Sequence, residues 1–321
     1  MKKAKTIFII INLAIVAFLI YYLAKLDYQQ IGELFTKSNK GLLIAGLAFY
    51  FLSLYFKIIR FGRVVEYYGY KFSFKDNAFI QMVGIAIAMM TPGRLGEASK
   101  IFLMHQKKVP AMTGTTLTIF ERVFDFLFLS LASLIFALQF MKGSNLIWGF
   151  IFLFIVMVVL LVLLRNLHWL RRFIPQRFNS IYDKISGLKF SGNKKHLIYI
   201  SVYSILTWFA QSLLSWFALR AMGFEVSPLA VLGVEAIGTL AAIISFLPLG
   251  IGAMDLSMLF LYSLLGISNE VAAIVVLLSR TIGFLAPLLV ALIMTNYNRT
   301  SIKEIRAGMS ISKRVNNNSP T

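Results

Sequence analysis

Apolar residues in this chain run in long blocks, separated by short polar stretches. A helix needs roughly 20 apolar residues to cross a hydrocarbon core of about 30 Å. Blocks 6–23, 41–59, 126–141, 146–164, 197–219 and 271–293 reach or approach that length, and each predicts a spanning helix. Two other stretches, 78–90 and 109–120, are shorter; at about 1.5 Å per residue each covers only ~20 Å. Block 229–247 runs into PLGIG (248–252), and a further short run, 256–266, follows. Short apolar helices joined at Pro/Gly breaks predict re-entrant hairpins, which membranes accept where broken backbone is buried in protein or lines a polar cavity.

The expected fold is therefore all-α: a polytopic integral membrane protein of about six spanning helices plus two opposed re-entrant hairpins. Helix 41–59, hairpin 78–120 and helix 121–141 form one unit. Helix 197–219, hairpin 229–266 and helix 271–293 form a second. Pro92 precedes Arg122 by 30 residues and Pro248 precedes Arg280 by 32. The units read as an inverted repeat within one transmembrane domain, 1–294, followed by a basic polar tail, 295–321.

Composition agrees. The 321 residues are 59% hydrophobic and 14% charged, more apolar surface than a soluble domain can bury. There is no Cys, and the three His are scattered, so neither a disulfide frame nor a metal site or other cofactor is expected. The net charge of +19 in a soluble protein would suggest nucleic acid, but here the basic residues lie mostly between apolar blocks. That is the positive-inside pattern. Residues 1–5, the connection 57–76 (read as holding Lys57 and Arg60 at a helix end), the linker 165–196 and the tail are basic. They set the expected topology in a cell membrane, with both termini cytoplasmic. The block 6–23 has no clear cleavage site and is read as an uncleaved first helix.

Charges inside the apolar regions are the candidate chemistry, because each costs at least ~2.5–3.5 kcal/mol at membrane depth. In TPGRLGEASK (91–100), Pro92, Gly93 and Gly96 form a turn beside Arg94, and backbone N–H groups next to an Arg suit a phosphate or carboxylate. Glu97 is placed to pair Arg94 at i+3; the alternative is a surface ion pair in a cytoplasmic loop. In ERVFD (121–125), Glu121 and Asp125 share a helix face and call for a cation between them, from Arg122 or Arg94. In PLGIGAMD (248–255), Pro248, Gly250 and Gly252 form the second turn, and Asp255 lines a polar path or caps the next helix. Arg280 lies deep in an apolar block, with Asp255 or Glu235 as pairing partners; Glu235 is otherwise interfacial. Gly84, Gly114 and Gly238 are expected to permit close helix packing. Glu97 and Asp125 are the expected carriers of any coupling proton.

On these motifs the chain resembles the transmembrane domain of lysylphosphatidylglycerol synthases, including their stand-alone members. The resemblance covers nearly the whole chain and rests on TPGRLGEASK, ERVFD and PLGIGAMD. It departs from the family pattern in carrying Asp255 where a Glu is expected. In longer members this domain precedes a soluble domain that aminoacylates phosphatidylglycerol, and the membrane part is associated with flipping the product. The resemblance thus implies the membrane half without the synthase half.

The expected function is a flippase-like lipid transporter for a phospholipid, an aminoacylated lipid or a polyprenyl-phosphate-linked lipid. Arg94, Glu97, Glu121, Arg122, Asp125, Asp255 and Arg280 are its expected headgroup-binding residues, and membrane lipids with anionic or phosphate headgroups its partners. A homo-oligomer or a soluble enzyme partner is compatible with this. The alternatives are a membrane transferase on a lipid-linked substrate and a scaffold docking a soluble enzyme on the basic linker. No Asp-x-Asp or His–acid constellation supports the transferase.

Overall fold

A computed structural model of the chain describes Tyr21, Ala24 and residues 27–165 and 194–297. Nearly all of the first predicted helix and of the basic linker, and most of the tail, lie outside these residues. Among the described residues the protein is all-α, with ten helices. These are α1 (Tyr28–Lys37), α2 (Lys40–Tyr67), α3 (Phe74–Met89), α4 (Ser99–Gln106), α5 (Ala111–Phe140), α6 (Leu146–Arg165), α7 (Lys194–Ala221), α8 (Pro228–Ile244), α9 (Ala253–Leu264) and α10 (Asn269–Tyr297). A 3₁₀ segment, Pro92–Ala98, joins α3 to α4, and another, Pro248–Gly250, lies between α8 and α9. Five helices, α2, α5, α6, α7 and α10, are long and apolar enough to span a membrane.

The local sequence sets the element boundaries. Asn39 caps α2 by accepting from the Gly41 and Leu42 N–H groups, and Ser73 caps α3 by accepting from the Asp76 N–H. Gly69 after α2 and Gly223 after α7 both take positive φ, where a Cβ is disfavoured. Behind these, Tyr70 N–H returns to Val65 and Phe224 N–H to Leu219 in the same register.

α2 and α7 form the central pair and run antiparallel. Asn39 N–H meets the Ala221 carbonyl near the start of one and the end of the other. Further along, Phe49 stacks on Phe217, Arg60 meets Ser204 and Arg63 lies over Tyr199. Around this pair the remaining elements exchange. α3 of the first half packs on α10 of the second, and α8 of the second packs on α5 of the first. Corresponding helices have matching lengths: 28 and 28 residues for α2 and α7, 16 and 17 for α3 and α8, 30 and 29 for α5 and α10. Two antiparallel copies of one unit thus interlock through their helical hairpins.

Two expectations need correction. The stretch 109–120 is not the return arm of a hairpin. It belongs to α5, a continuous 30-residue helix, and the first return arm is the eight-residue α4 alone. The charges of ERVFD interrupt the apolar count, but neutralised in the interior they do not break the helix. Nor do Lys57 and Arg60 sit at a helix end: α2 runs on to Tyr67, and Arg60 is fully buried. Neither belongs to the loop charge that oriented the 57–76 connection.

Glycines set the close contacts. The stem of Lys100 covers Gly84 and Met258 covers Gly238, so that a Cβ would lie 2.4 Å from Lys100 Cγ and 2.6 Å from Met258 Cγ. Met104 and Ile101 pack on Gly114. Close packing is the role expected of all three. α6 contributes no buried residue within its spanning window and presents its apolar surface outward.

Candidate functional site

The two hairpin tips meet beside α2, α7 and α10. At the first tip Gly93 (φ 56°) and Arg94 (φ 58°) are consecutive left-handed residues; at the second, Leu249 (φ 59°) and Gly250 (φ 63°) repeat the geometry. An L-residue there costs roughly 1–2 kcal/mol, which Gly avoids. A Cβ on Gly93 would stand 2.5 Å from the Phe246 ring, and one on Gly250 would stand 2.3 Å from Ala242 Cβ. Gly96 lies as tightly against the Ile87 carbonyl, and its N–H donates to Thr91 Oγ1 at 2.7 Å. Gly252, also at positive φ, donates its N–H to Asp255 Oδ2 at 2.8 Å, so Asp255 caps α9. Pro92 and Pro248 open the two 3₁₀ segments, and Gly93, Gly250 and Gly252 take positive φ there or just beyond.

Between the tips lies a cavity of about 110 Å³. Arg94, Glu97, Arg122, Asp125 and Arg280 line it, as do Tyr50, Lys57, Gln81, Trp208, Gln211 and Glu235. Of the expected site residues, Glu121 and Asp255 do not line it. Glu121 lies behind it, fully buried, and Asp255 stands on the far side of Arg280.

The pairing differs from expectation. Glu97 pairs with Arg122 (2.6 Å) and not with Arg94. The cation between Glu121 and Asp125 is Arg60, which reaches Glu121 at 2.9 Å and clasps Asp125 with both Nη atoms. Lys100 adds a second cation on Glu121 (2.9 Å), Gln81 donates to the same carboxylate (2.8 Å), and Trp208 Nε1 donates to Asp125 (2.9 Å). Arg122 also reaches Asp125 at 3.2 Å. The cations Arg60, Lys100 and Arg122 thus balance Glu97, Glu121 and Asp125, which keeps a buried network affordable. On the other side Arg280 pairs with Asp255 (3.1 Å) and donates to the Leu249 carbonyl (2.7 Å). Glu235 is buried within the protein and accepts from Ser215.

What remains is uncommitted charge. Among the described residues the Arg94 guanidinium makes no hydrogen bond and no ion pair, although it is only partly exposed. Arg280 Nη1 is buried without a partner. Lys57 Nζ donates to a neutral oxygen, Gln211 Oε1, at 2.8 Å and stands 5.4 Å from the Trp208 ring centre. Cationic donors left wholly or partly without an anionic partner, gathered in a cavity of low dielectric, are the chemistry of an anion site.

Sequence reasoning missed Arg60, Lys57, Gln81, Lys100, Trp208 and Gln211. Their partners come from distant helices. One signal was present. Gly69 and Gly223 are 154 positions apart, as are the starts of α2 and α7, and the same offset sets Lys57 on Gln211, Gln81 on Glu235 and Gly84 on Gly238.

Fold and cavity together define a polytopic helical membrane protein whose halves enclose a charged pocket between paired hairpins. The chain belongs to the family described as the lysylphosphatidylglycerol synthase TM region, which matches residues 9–291. It is 22% identical over 297 residues to a UPF0104 membrane protein of Methanocaldococcus jannaschii, covering 84% of this chain and 88% of that one. A UPF0104 membrane protein of Pyrococcus horikoshii is 23% identical over 332 residues, covering 92% and 97%. A phosphatidylglycerol lysyltransferase of Staphylococcus haemolyticus is 25% identical over 307 residues. There the match covers 90% of this chain but only 33% of the relative.

Proposed function

We propose that the protein is a flippase-like membrane lipid transporter and that the cavity holds the phosphate of a lipid headgroup. The observation that carries this reading is Arg94: a cation held at the cavity wall by two successive left-handed residues, with no protein counterion among the described residues. A protein that spends backbone strain on an unpaired charge supports a ligand at that point. Arg280 Nη1 and Lys57 add donors. The cavity volume of about 110 Å³ suits a headgroup, since whole drug-sized molecules take roughly 300–1,000 Å³. The acyl or prenyl chains stay in the bilayer.

The hairpins α3–α4 and α8–α9 serve as re-entrant elements, opening from opposite membrane faces, and the antiparallel repeat supplies the two arrangements alternating access requires. Both termini face the cytoplasm of a cell membrane, where the basic segments meet anionic headgroups. One relative is named for acting on phosphatidylglycerol, itself a phosphate lipid. The carboxylates of the interior network act here as counterions to Arg60, Lys100 and Arg122 rather than as headgroup ligands.

The test is transbilayer movement of labelled lipids in proteoliposomes, read by a quencher outside the vesicle. Phosphatidylglycerol, lysylphosphatidylglycerol and a polyprenyl phosphate would be supplied in parallel. Movement of one of them, lost in Arg94→Ala, is expected; movement of none by folded protein would overturn the reading.

A further inference from the structure

Glu235 is the one cavity carboxylate among the described residues with no ion pair. It is 5% exposed and accepts a hydrogen bond from Ser215 on α7. Around it stand Tyr50 of α2, Tyr262 of α9 and Arg280 of α10, and Arg280 is already paired with Asp255. The charged residues of α5, Glu121, Arg122 and Asp125, are engaged in the network described above, as is Glu97 at the first tip. Across the cavity the uncommitted cations are Arg94 and Lys57. At the corresponding position of the first half stands Gln81, which is neutral and holds Glu121.

An isolated buried carboxylate is expensive as an anion, and cheap either as the neutral acid or when cations in its cavity balance it. Both conditions occur here at different points of a transport cycle. With no ligand, the cations that line the cavity, Arg280 beside it among them, favour an ionised Glu235. When a phosphate arrives it becomes their counterion, and a second negative charge in the same cavity is repelled. The carboxylate then does best by taking a proton from water.

We propose that Glu235 is a proton-binding site, and that an anionic headgroup and one proton bind the cavity together. The proposal rests on the headgroup reading above. The coupling is reciprocal: protonation favours the anion by the same factor by which the anion favours protonation, typically 5–150-fold for linked sites. Glu97 and Asp125, the carriers expected from sequence, are each paired with Arg122, whereas Glu235 has no such pair. Lipid leaving at one face releases the proton there, so a proton gradient would drive net movement of lipid.

The test uses the full-length protein in detergent and dioctanoyl phosphatidylglycerol, a phosphodiester that stays singly ionised between about pH 5.5 and pH 8.5. Calorimetry in two buffers of different ionisation enthalpy counts the protons taken up on binding. Wild type is expected to take up as much as one proton and to bind about tenfold tighter at the acidic end. Glu235→Gln, a fixed mimic of the neutral acid, should bind with no proton uptake and no pH dependence. An infrared pH titration of ligand-free protein should show a carboxylic acid C=O band that E235Q lacks. The wild-type measurements keep the proposal exposed even if E235Q fails to fold. Binding without proton uptake, or equal uptake by E235Q, would overturn the proposal and leave the headgroup reading intact. A Glu235 band with no binding of the probe at any pH would overturn the headgroup reading and the linkage with it.

Discussion

Lys57 and Gln211 stand at corresponding positions of the two repeats and are bonded to each other, Nζ to Oε1 at 2.8 Å. A contact between a position and its own counterpart places it close to the pseudo-twofold axis relating α2 and α7. The two side chains are not equal, however, and one half alone supplies the cation.

A swap variant follows. Lys57→Gln should weaken phosphate-lipid binding by about tenfold, the scale of one charged hydrogen bond. Gln211→Lys should destabilise the protein by setting two ammonium groups against each other in a confined cavity. Because the positions are related by symmetry, the double variant K57Q/Q211K should recover most of both losses. Binding and thermal unfolding of the four proteins form a double-mutant cycle, with an expected coupling of roughly 0.5–3 kcal/mol. Additive effects would mean that the two positions are not interchangeable.

Arg94 and Arg60 should respond to mutation in opposite ways. Arg94→Gly removes a left-handed L-residue and a cation with no ion-pair partner among the described residues, so unfolding should stay within about 1 kcal/mol of wild type while lipid movement is lost. Arg60→Met leaves the buried network one cation short, with Lys100 alone on Glu121 and Arg122 alone on Asp125, and should cost about 3–5 kcal/mol. Thermal unfolding in detergent, read beside the proteoliposome assay, separates a residue that binds from one that holds the fold.

Much of this was legible in the chain. Block lengths located the five described spanning helices, and the Pro/Gly clusters located both tips. Arg94, Glu97, Arg122, Asp125 and Arg280 were picked out because a charge in an apolar block needs a reason, and all five line one cavity. What stayed hidden depends on which helices touch. Arg60 looked like a residue at a helix end because its two carboxylate partners lie on α5, more than 60 positions away. Glu97 was assigned to its neighbour Arg94 because local spacing knows only i+3 and i+4. The left-handed backbone of Arg94 turns that side chain away from the helical geometry on which the rule depends.

Asp255 combines two roles that substitution can separate. Its Oδ2 accepts from the Gly252 N–H and its Oδ1 pairs with Arg280. Asp255→Asn keeps the cap and loses the ion pair, whereas Asp255→Ala loses both. Alanine should therefore cost about 0.5–2 kcal/mol more than asparagine in unfolding experiments, the value of an N-terminal cap. Equal costs would show that the cap contributes nothing.

Gly84 tests whether the charge network tolerates movement. A Cβ there would lie 2.4 Å from Lys100 Cγ and 2.7 Å from Lys100 Cε. The lysine cannot simply swing aside, because its Nζ is held on Glu121 at 2.9 Å and the side chain is fully buried. Gly238 is the counterpart, covered by Met258, which is not tethered by an ion pair and has an unbranched side chain that can repack. Gly84→Ala should thus destabilise by about 1–3 kcal/mol, the usual cost of overpacking, and Gly238→Ala by less. Combining Gly84→Ala with Lys100→Met should remove part of the cost, because the replacement side chain yields and Arg60 and Gln81 still hold Glu121. If Gly84→Ala and Gly238→Ala cost the same, the rigidity of the first hairpin does not come from its buried ion pair.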